Sequence, residues 1–276
     1  MGVQRATSIV LTLLNKGEKN IRTLGPLIHN PQAISLLESK GVKVIEDLED
    51  ANSVEDIVVI RAHGVPPGRK EEMKVRNLRI KDATCPKVLN VQSIIRKHVK
   101  QGYQAIIIGD KEHPEIIGLQ GFAGTSGHVI SSIEDLNKLP EFEKICVVAQ
   151  TTQSEEKFLA ISEKLKEKAK ESLIFNTICE STNRRQAEIK ELAKKTELLI
   201  IIGGKNSGNT KRLAEIAEST GTPTLQIESE RELKARDFRG KSVVGVSAGA
   251  STPSWVIEKV IYKIRQLGGT GDEKID

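Results

Sequence analysis

Cysteine is nearly absent. The 276 residues contain three, Cys85, Cys146 and Cys179. So sparse and odd a set excludes a disulfide scaffold. With no CxxC and no HExxH, the usual zinc patterns are missing too. Aromatic residues make up only 3%, too few for the stacking platforms of a single-stranded nucleic-acid binder, so no nucleic-acid partner is expected. The longest unbroken aliphatic run, LLIII at 198–202, is far too short to cross a bilayer. No basic stretch followed by an apolar core marks a secretory signal, so the expected location is the cytoplasm, away from membranes. Neither sign of charge dominates, with 42 basic and 37 acidic residues for a net +5. They lie mostly on helix faces such as EEKFLAISEKLKEKAKE, which reads as a solvated surface. The mild positive balance suits an anionic small molecule.

What is abundant is aliphatic sequence in short, punctuated runs: DIVVIRAHG, QAIIIGDKEHPE, KICVVAQTT, ELLIIIGGKNSGNT and SVVGVSAGAST. Runs rich in Ile and Val, separated by amphipathic stretches, predict buried parallel strands in an α/β fold. The pattern also repeats. Cys85 is followed by a helix, Gly102, the strand QAIIIG and His113. Cys179 is followed by a helix, Thr196, the strand LLIIIG and Ser207. The separations match, 28 residues from Cys85 to His113 and 28 from Cys179 to Ser207. Residues 1–84 run through the same series, with His29 in the place of His113 and Ser207. The spacing therefore predicts three similar α/β units, 1–84, 85–178 and 179–267, and a polar tail, 268–276. The opening stretch MGVQRATSIVLTLLNKG has apolar residues at helical steps and a stop at Gly17. By the repeat, it is the first helix of a unit whose leading strand and cysteine would lie just before residue 1.

In open parallel sheets, ligands bind beyond the carboxyl ends of the strands. There the sequence places His29, His63, His113, Glu115, Thr151, Ser207, Gly208, Asn209, Ser251 and Thr252, with Cys85 and Cys179 after apolar strands of their own. His98 and His128 lie elsewhere, and Cys146 sits inside KICVV as a small apolar residue. GGKNSGNT is no Walker sequence, because Asn-Thr replaces Lys-Ser/Thr. Its donors at a helix start still suit a phosphate. If the units share an axis, up to three thiolates converge amid His, Ser, Thr and Asn donors and one acid, Glu115. Soft thiolates from distant segments favour an iron–sulfur cluster. Three ligands on four irons would leave one iron open as a Lewis acid. The surrounding donors suit a diphosphate, and Glu115 a proton transfer.

The segments GVQRA, IHNP, AHGV, DATCPKV, GDKEHPE, AQTT, TICESTNRRQ, NSGNTKRL and SAGASTP, in this order along nearly the whole chain, resemble the 4-hydroxy-3-methylbut-2-enyl diphosphate reductase (IspH/LytB) family. The resemblance implies a trefoil of three α/β units with small parallel sheets around a 4Fe–4S cluster, with Cys85 and Cys179 as two of its ligands. It implies a substrate diphosphate among His29, His63, His113, Ser207, Asn209 and Ser251, with Gly208 offering its backbone. Glu115 would be the proton donor, with Thr151 and His113 beside it in the catalytic set and Thr151 also at the substrate. The implied reaction is reductive dehydroxylation in the non-mevalonate isoprenoid pathway, giving isopentenyl and dimethylallyl diphosphates, with electrons from a ferredoxin- or flavodoxin-like donor. The family's first cluster cysteine would stand immediately before Met1, so the expectation is a chain whose start was assigned at an internal methionine. The alternative is a non-catalytic diphosphate-binding relative without a stable cluster.

Overall fold

The computed structural model describes residues 2–51 and 53–268. Of the expected polar tail, residues 269–276 lie outside the described residues, while Gly268 ends the last helix. Among the described residues every strand pairing is parallel, and the strands form three sheets. The first has the order β2-β1-β3-β4, from β1 (Ile21–Leu24), β2 (Lys43–Ile45), β3 (Ile57–Ile60) and β4 (Arg79–Asp82). The second repeats that order as β6-β5-β7-β8, from β5 (Gln104–Ile108), β6 (Gly127–Ile130), β7 (Phe142–Ala149) and β8 (Ala169–Ile174). The third is β10-β9-β11, from β9 (Leu198–Ile202), β10 (Thr224–Ile227) and β11 (Val244–Ala248). By compactness, residues 1–28 and 36–183 form one unit and 29–35 with 184–276 a second. No helix among the described residues is long and apolar enough to cross a membrane.

Central strands are uniformly aliphatic because helices cover both of their faces. In the second sheet Ile106, Ile108, Ile145 and Val147 face Phe158, Ile161 and Leu165. These come from α6 (Glu155–Leu165). The alternate residues Ala105, Ile107, Cys146 and Val148 face Val91, Ile95, Ile116 and Leu119, from α4 (Pro86–Lys100) and α5 (Pro114–Ala123). The period of two assigns each strand residue to one face. In the third sheet Leu199 and Ile201 pack with Leu213 and Ala217 of α8 (Gly208–Ser219). Leu198, Ile200 and Ile202 pack with Val256 and Val260 of α9 (Ser254–Gly268). The opening helix is α1 (Gly2–Asn15), which buries Ala6, Val10 and Leu13.

This strand order fixes where side chains gather. The connection after β5 runs to β6 on one side and the connection after β7 runs to β8 on the other, so the carboxyl ends of β5 and β7 border a crevice. The residues after β5 lead to His113 and Glu115, and those after β7 are Gln150 and Thr151.

Candidate active site

Glu115 is the second residue of α5 and only 2% exposed. Thr151 holds both carboxylate oxygens of Glu115. The Thr151 N–H donates to Oε1 at 2.6 Å, and its hydroxyl lies 2.7 Å from Oε2. Burial raises the carboxyl to about 7, and the two Thr151 bonds oppose that rise without cancelling it. Two other acids, Asp110 and Glu112, share the loop. Glu112 is exposed and Asp110 half-buried, so Glu115 alone combines burial with a hydroxyl partner.

His113 is the N-cap of α5, with Pro114 at the first helical position. Its Nδ1 accepts the Glu115 N–H at 3.1 Å. In the neutral ring that leaves the proton on Nε2. His63 follows β3, and its ring meets that of His113 edge-to-face with centroids 5.3 Å apart. The residue after His63, Gly64, is held against Gln92. Its φ is +75°, and a Cβ there would come within 2.7 Å of Gln92 Nε2.

Cys85 and Cys179 occupy equivalent places. Each follows the edge strand of its sheet, and each donates its N–H to a loop carbonyl at 2.9 Å, Cys85 to Ala62 and Cys179 to Thr151. Each precedes a helix, α4 for Cys85 and α7 (Glu180–Ala193) for Cys179. Both thiols are free and half-buried. The start of α1 lies against Cys85, since a Cβ on Gly2 would come 2.6 Å from its Sγ. Arg5 on α1 also donates to the Thr84 carbonyl at 3.0 Å. Cys146 is fully buried within β7, where burial pushes its thiol up to about 12. It cannot serve as a ligand there.

In the second unit, Ser207 is the N-cap of α8, its Oγ accepting the Thr210 N–H at 3.3 Å. Gly208 and Asn209 form the first turn. The Asn209 Nδ2 is buried and has no hydrogen-bond partner among the described residues. An unsatisfied amide at a helix N-terminus, beside main-chain N–H groups, is suited to an anion. The Ser251 hydroxyl donates to the His29 carbonyl at 3.1 Å. Gly204 packs under that carbonyl, and a Cβ on it would lie 2.5 Å from the oxygen. Replacing Gly204 with Ala should therefore displace His29 and cost about 1–3 kcal/mol, as overpacking does, visible as a lowered denaturation midpoint.

Gln150, which directly follows β7, is not among the expected site residues. It is 1% exposed, and its Oε1 accepts the Asp110 N–H at 2.9 Å, tying the loop after β7 to the loop after β5. A polar residue directly after an aliphatic run was the available signal.

The raised acid has a thermodynamic signature. Glu115 titrates near 4.5 when unfolded and about 7 when folded. Its neutral form therefore contributes stability that is complete below pH 4.5 and lost as pH rises through about 7. The loss is about 3 kcal/mol in order of magnitude. Urea titrations at pH 5 and pH 8 should show Glu115→Gln lacking that component relative to wild type.

Three parallel sheets with a buried acid–hydroxyl pair in a strand-end crevice define an α/β enzyme. Residues 1–265 match the family described as LytB protein, and the chain belongs to the LytB family. It is 43% identical over 276 residues to the 4-hydroxy-3-methylbut-2-enyl diphosphate reductase of Caldanaerobacter subterraneus subsp. tengcongensis, covering 99% of this chain and 96% of that one. Against the Aquifex aeolicus enzyme of the same name it is 40% identical over 269 residues, 96% of this chain and 92% of that one. Among solved structures, the E-1-hydroxy-2-methyl-but-2-enyl-4-diphosphate reductase from Plasmodium falciparum superposes with a TM-score of 0.90 at 29% identity, covering 96% of this chain and 84% of that one. A second, titled (E)-4-hydroxy-3-methyl-but-2-enyl diphosphate reductase, the terminal enzyme of the non-mevalonate pathway, gives 0.68 at 39% identity, covering 96% of this chain and 95% of that one.

Proposed function

We propose that this chain is a cytoplasmic oxidoreductase that removes the hydroxyl of 4-hydroxy-3-methylbut-2-enyl diphosphate, giving isopentenyl and dimethylallyl diphosphates. The observation that carries this reading is Glu115, a buried carboxyl half-protonated near neutrality and held by Thr151. The reaction consumes two electrons and two protons. One proton leaves with the hydroxyl as water, and the other ends on carbon. Glu115 in its acid form donates to the Thr151 hydroxyl, which turns its own proton outward. A general acid with a pKa near the working pH is efficient in this role.

The thiols test the cofactor that the family implies. Cys85 and Cys179 are free, half-buried and at helix N-termini, a donor set that fits an iron–sulfur cluster. Cys85 and Cys179 would hold a 4Fe–4S cluster. When bound, the cluster supplies electrons and a Lewis-acidic iron, recharged by a ferredoxin- or flavodoxin-like donor. For the diphosphate, Ser207, the Gly208 backbone, Asn209, Ser251 and His29 are donors of the second unit, and His63 and His113 of the first. The two rings meet edge to face, and the neutral His113 ring carries its proton on Nε2.

Anaerobically prepared protein, given reduced methyl viologen and the substrate, should release both five-carbon diphosphates. Protein with about four irons per chain and no such products would overturn the reading.

A further inference from the structure

We propose that Thr177 is a positioning residue that holds Cys179 at a fixed separation from the Glu115–Thr151 pair. The ladder between β7 and β8 does not stop where β8 ends. The Phe175 N–H donates to the Val147 carbonyl at 2.9 Å, and the Cys179 N–H donates to the Thr151 carbonyl at 2.9 Å. Both bonds join residues 28 apart in sequence. The rung between them belongs to residues 177 and 149, and there a side chain takes the place of the backbone. The Thr177 hydroxyl donates to the Ala149 carbonyl at 2.6 Å and accepts the Ala149 N–H at 2.8 Å.

The sequence explains the substitution of hydroxyl for amide. Asn176 accepts the Ile178 N–H on its Oδ1 at 3.2 Å. Such a local turn draws the backbone out of strand geometry. A hydroxyl is both donor and acceptor, so one Thr restores the rung while the chain bends. Ala149 is fully buried. Without Thr177, its N–H and C=O would both be left without partners.

The result is a closed ring. From Ala149 the chain runs two residues to Thr151, and from Thr177 two residues to Cys179. The Cys179-to-Thr151 bond closes the far side, and the Thr177 hydroxyl closes the near side. Thr151 also carries both bonds to Glu115. A shift of either arm is thus delivered to the carboxyl. The catalytic consequence rests on the function proposed above, whereas the mechanical coupling does not.

Amide hydrogen exchange, measured on the full chain without cluster or substrate, reads the coupling directly. In Thr177→Val the Thr151 and Cys179 amides should exchange at least about tenfold faster than in wild type, because their opening no longer breaks the near rung. Thr177→Ser keeps the hydroxyl and should stay within about threefold. In the loaded enzyme, Thr177→Val should lower kcat by about 10- to 100-fold with little change in KM, as misplacement of a reacting group does. Its pH profile should move alkaline, because the Thr151 bonds that favour the Glu115 carboxylate are loosened. Wild-type exchange rates at both amides in Thr177→Val would overturn the proposal. So would a Thr177→Ser variant as defective as Thr177→Val, which would assign the effect to packing. If Thr177→Val does not fold, the wild type decides. There Thr151 and Cys179 should exchange through one opening, with a common dependence on denaturant, and separate openings would overturn the coupling. Absence of turnover in wild type would overturn the proposed function and leave the exchange result standing.

Discussion

Glu115→Gln should lower kcat about a thousandfold, within the range that general acids contribute, while leaving KM and iron content near wild type. Gln keeps the shape of the side chain and the polarity pattern that Thr151 requires. Its Oε1 still accepts the Thr151 N–H, and its amide still reaches the Thr151 hydroxyl, so both contacts of the native pair persist. Only the transferable proton is gone. The pH profile makes the result specific. In wild type the acid form is the active one, so turnover should fall as pH rises through about 7, where burial places this carboxyl. The residual rate of the variant should lose that limb. Steady-state assays between pH 5.5 and 8.5 with reduced viologen check both points. Near-normal turnover in the variant would remove Glu115 from the mechanism.

The cysteines should divide two against one. Cys85→Ser and Cys179→Ser should each bleach the protein, dropping iron well below the roughly four per chain of a full cluster, with far-ultraviolet dichroism unchanged. Both thiols are half-buried, and each precedes a helix. Cys146→Ser should keep its iron and its colour. That residue is sealed in β7 among Val91, Ile95 and Val148, so a hydroxyl there costs about 1–3 kcal/mol of stability for its unmet hydrogen bond. Iron analysis, visible absorption and urea denaturation of the three variants give the comparison. Cluster loss confined to Cys146→Ser would overturn the assignment.

The strands β3, β5 and β9 are legible in the sequence because they are buried on both faces, so IVVI, AIII and LLIII appear as unbroken runs. The edge strands β4 and β8 are not legible that way. The strands expected to be apolar before Cys85 and Cys179 are instead RIKD and AKESLI, largely exposed or half-buried because they lie at sheet edges, and their position before a cysteine is what marks them. The site shows the same division. Strand ends and matched spacing are local, and they point to His113, Glu115, Thr151 and Ser207. Spacing does not distinguish Glu115 from Glu112 or Asp110, because that distinction is burial, which depends on what packs over the loop. Nor does it show that Gln150 ties two loops together, or that Thr177 stands in for an amide, since both depend on register between distant segments. The grouping of residues 29–35 with 184–276 joins stretches about 150 residues apart, and no local pattern encodes it.

Each of the three sheets takes all its strands from one continuous stretch of chain, 21–82, 104–174 and 198–248. Among the described residues, no strand pairs with one from another stretch. This organisation governs kinetics. The loop closures within a sheet are short, and each sheet can nucleate before the next has left the ribosome. Refolding should therefore proceed through partly built species in separate phases, as chains of this size do. Late docking of 29–35 would then be slower than the formation of any single sheet.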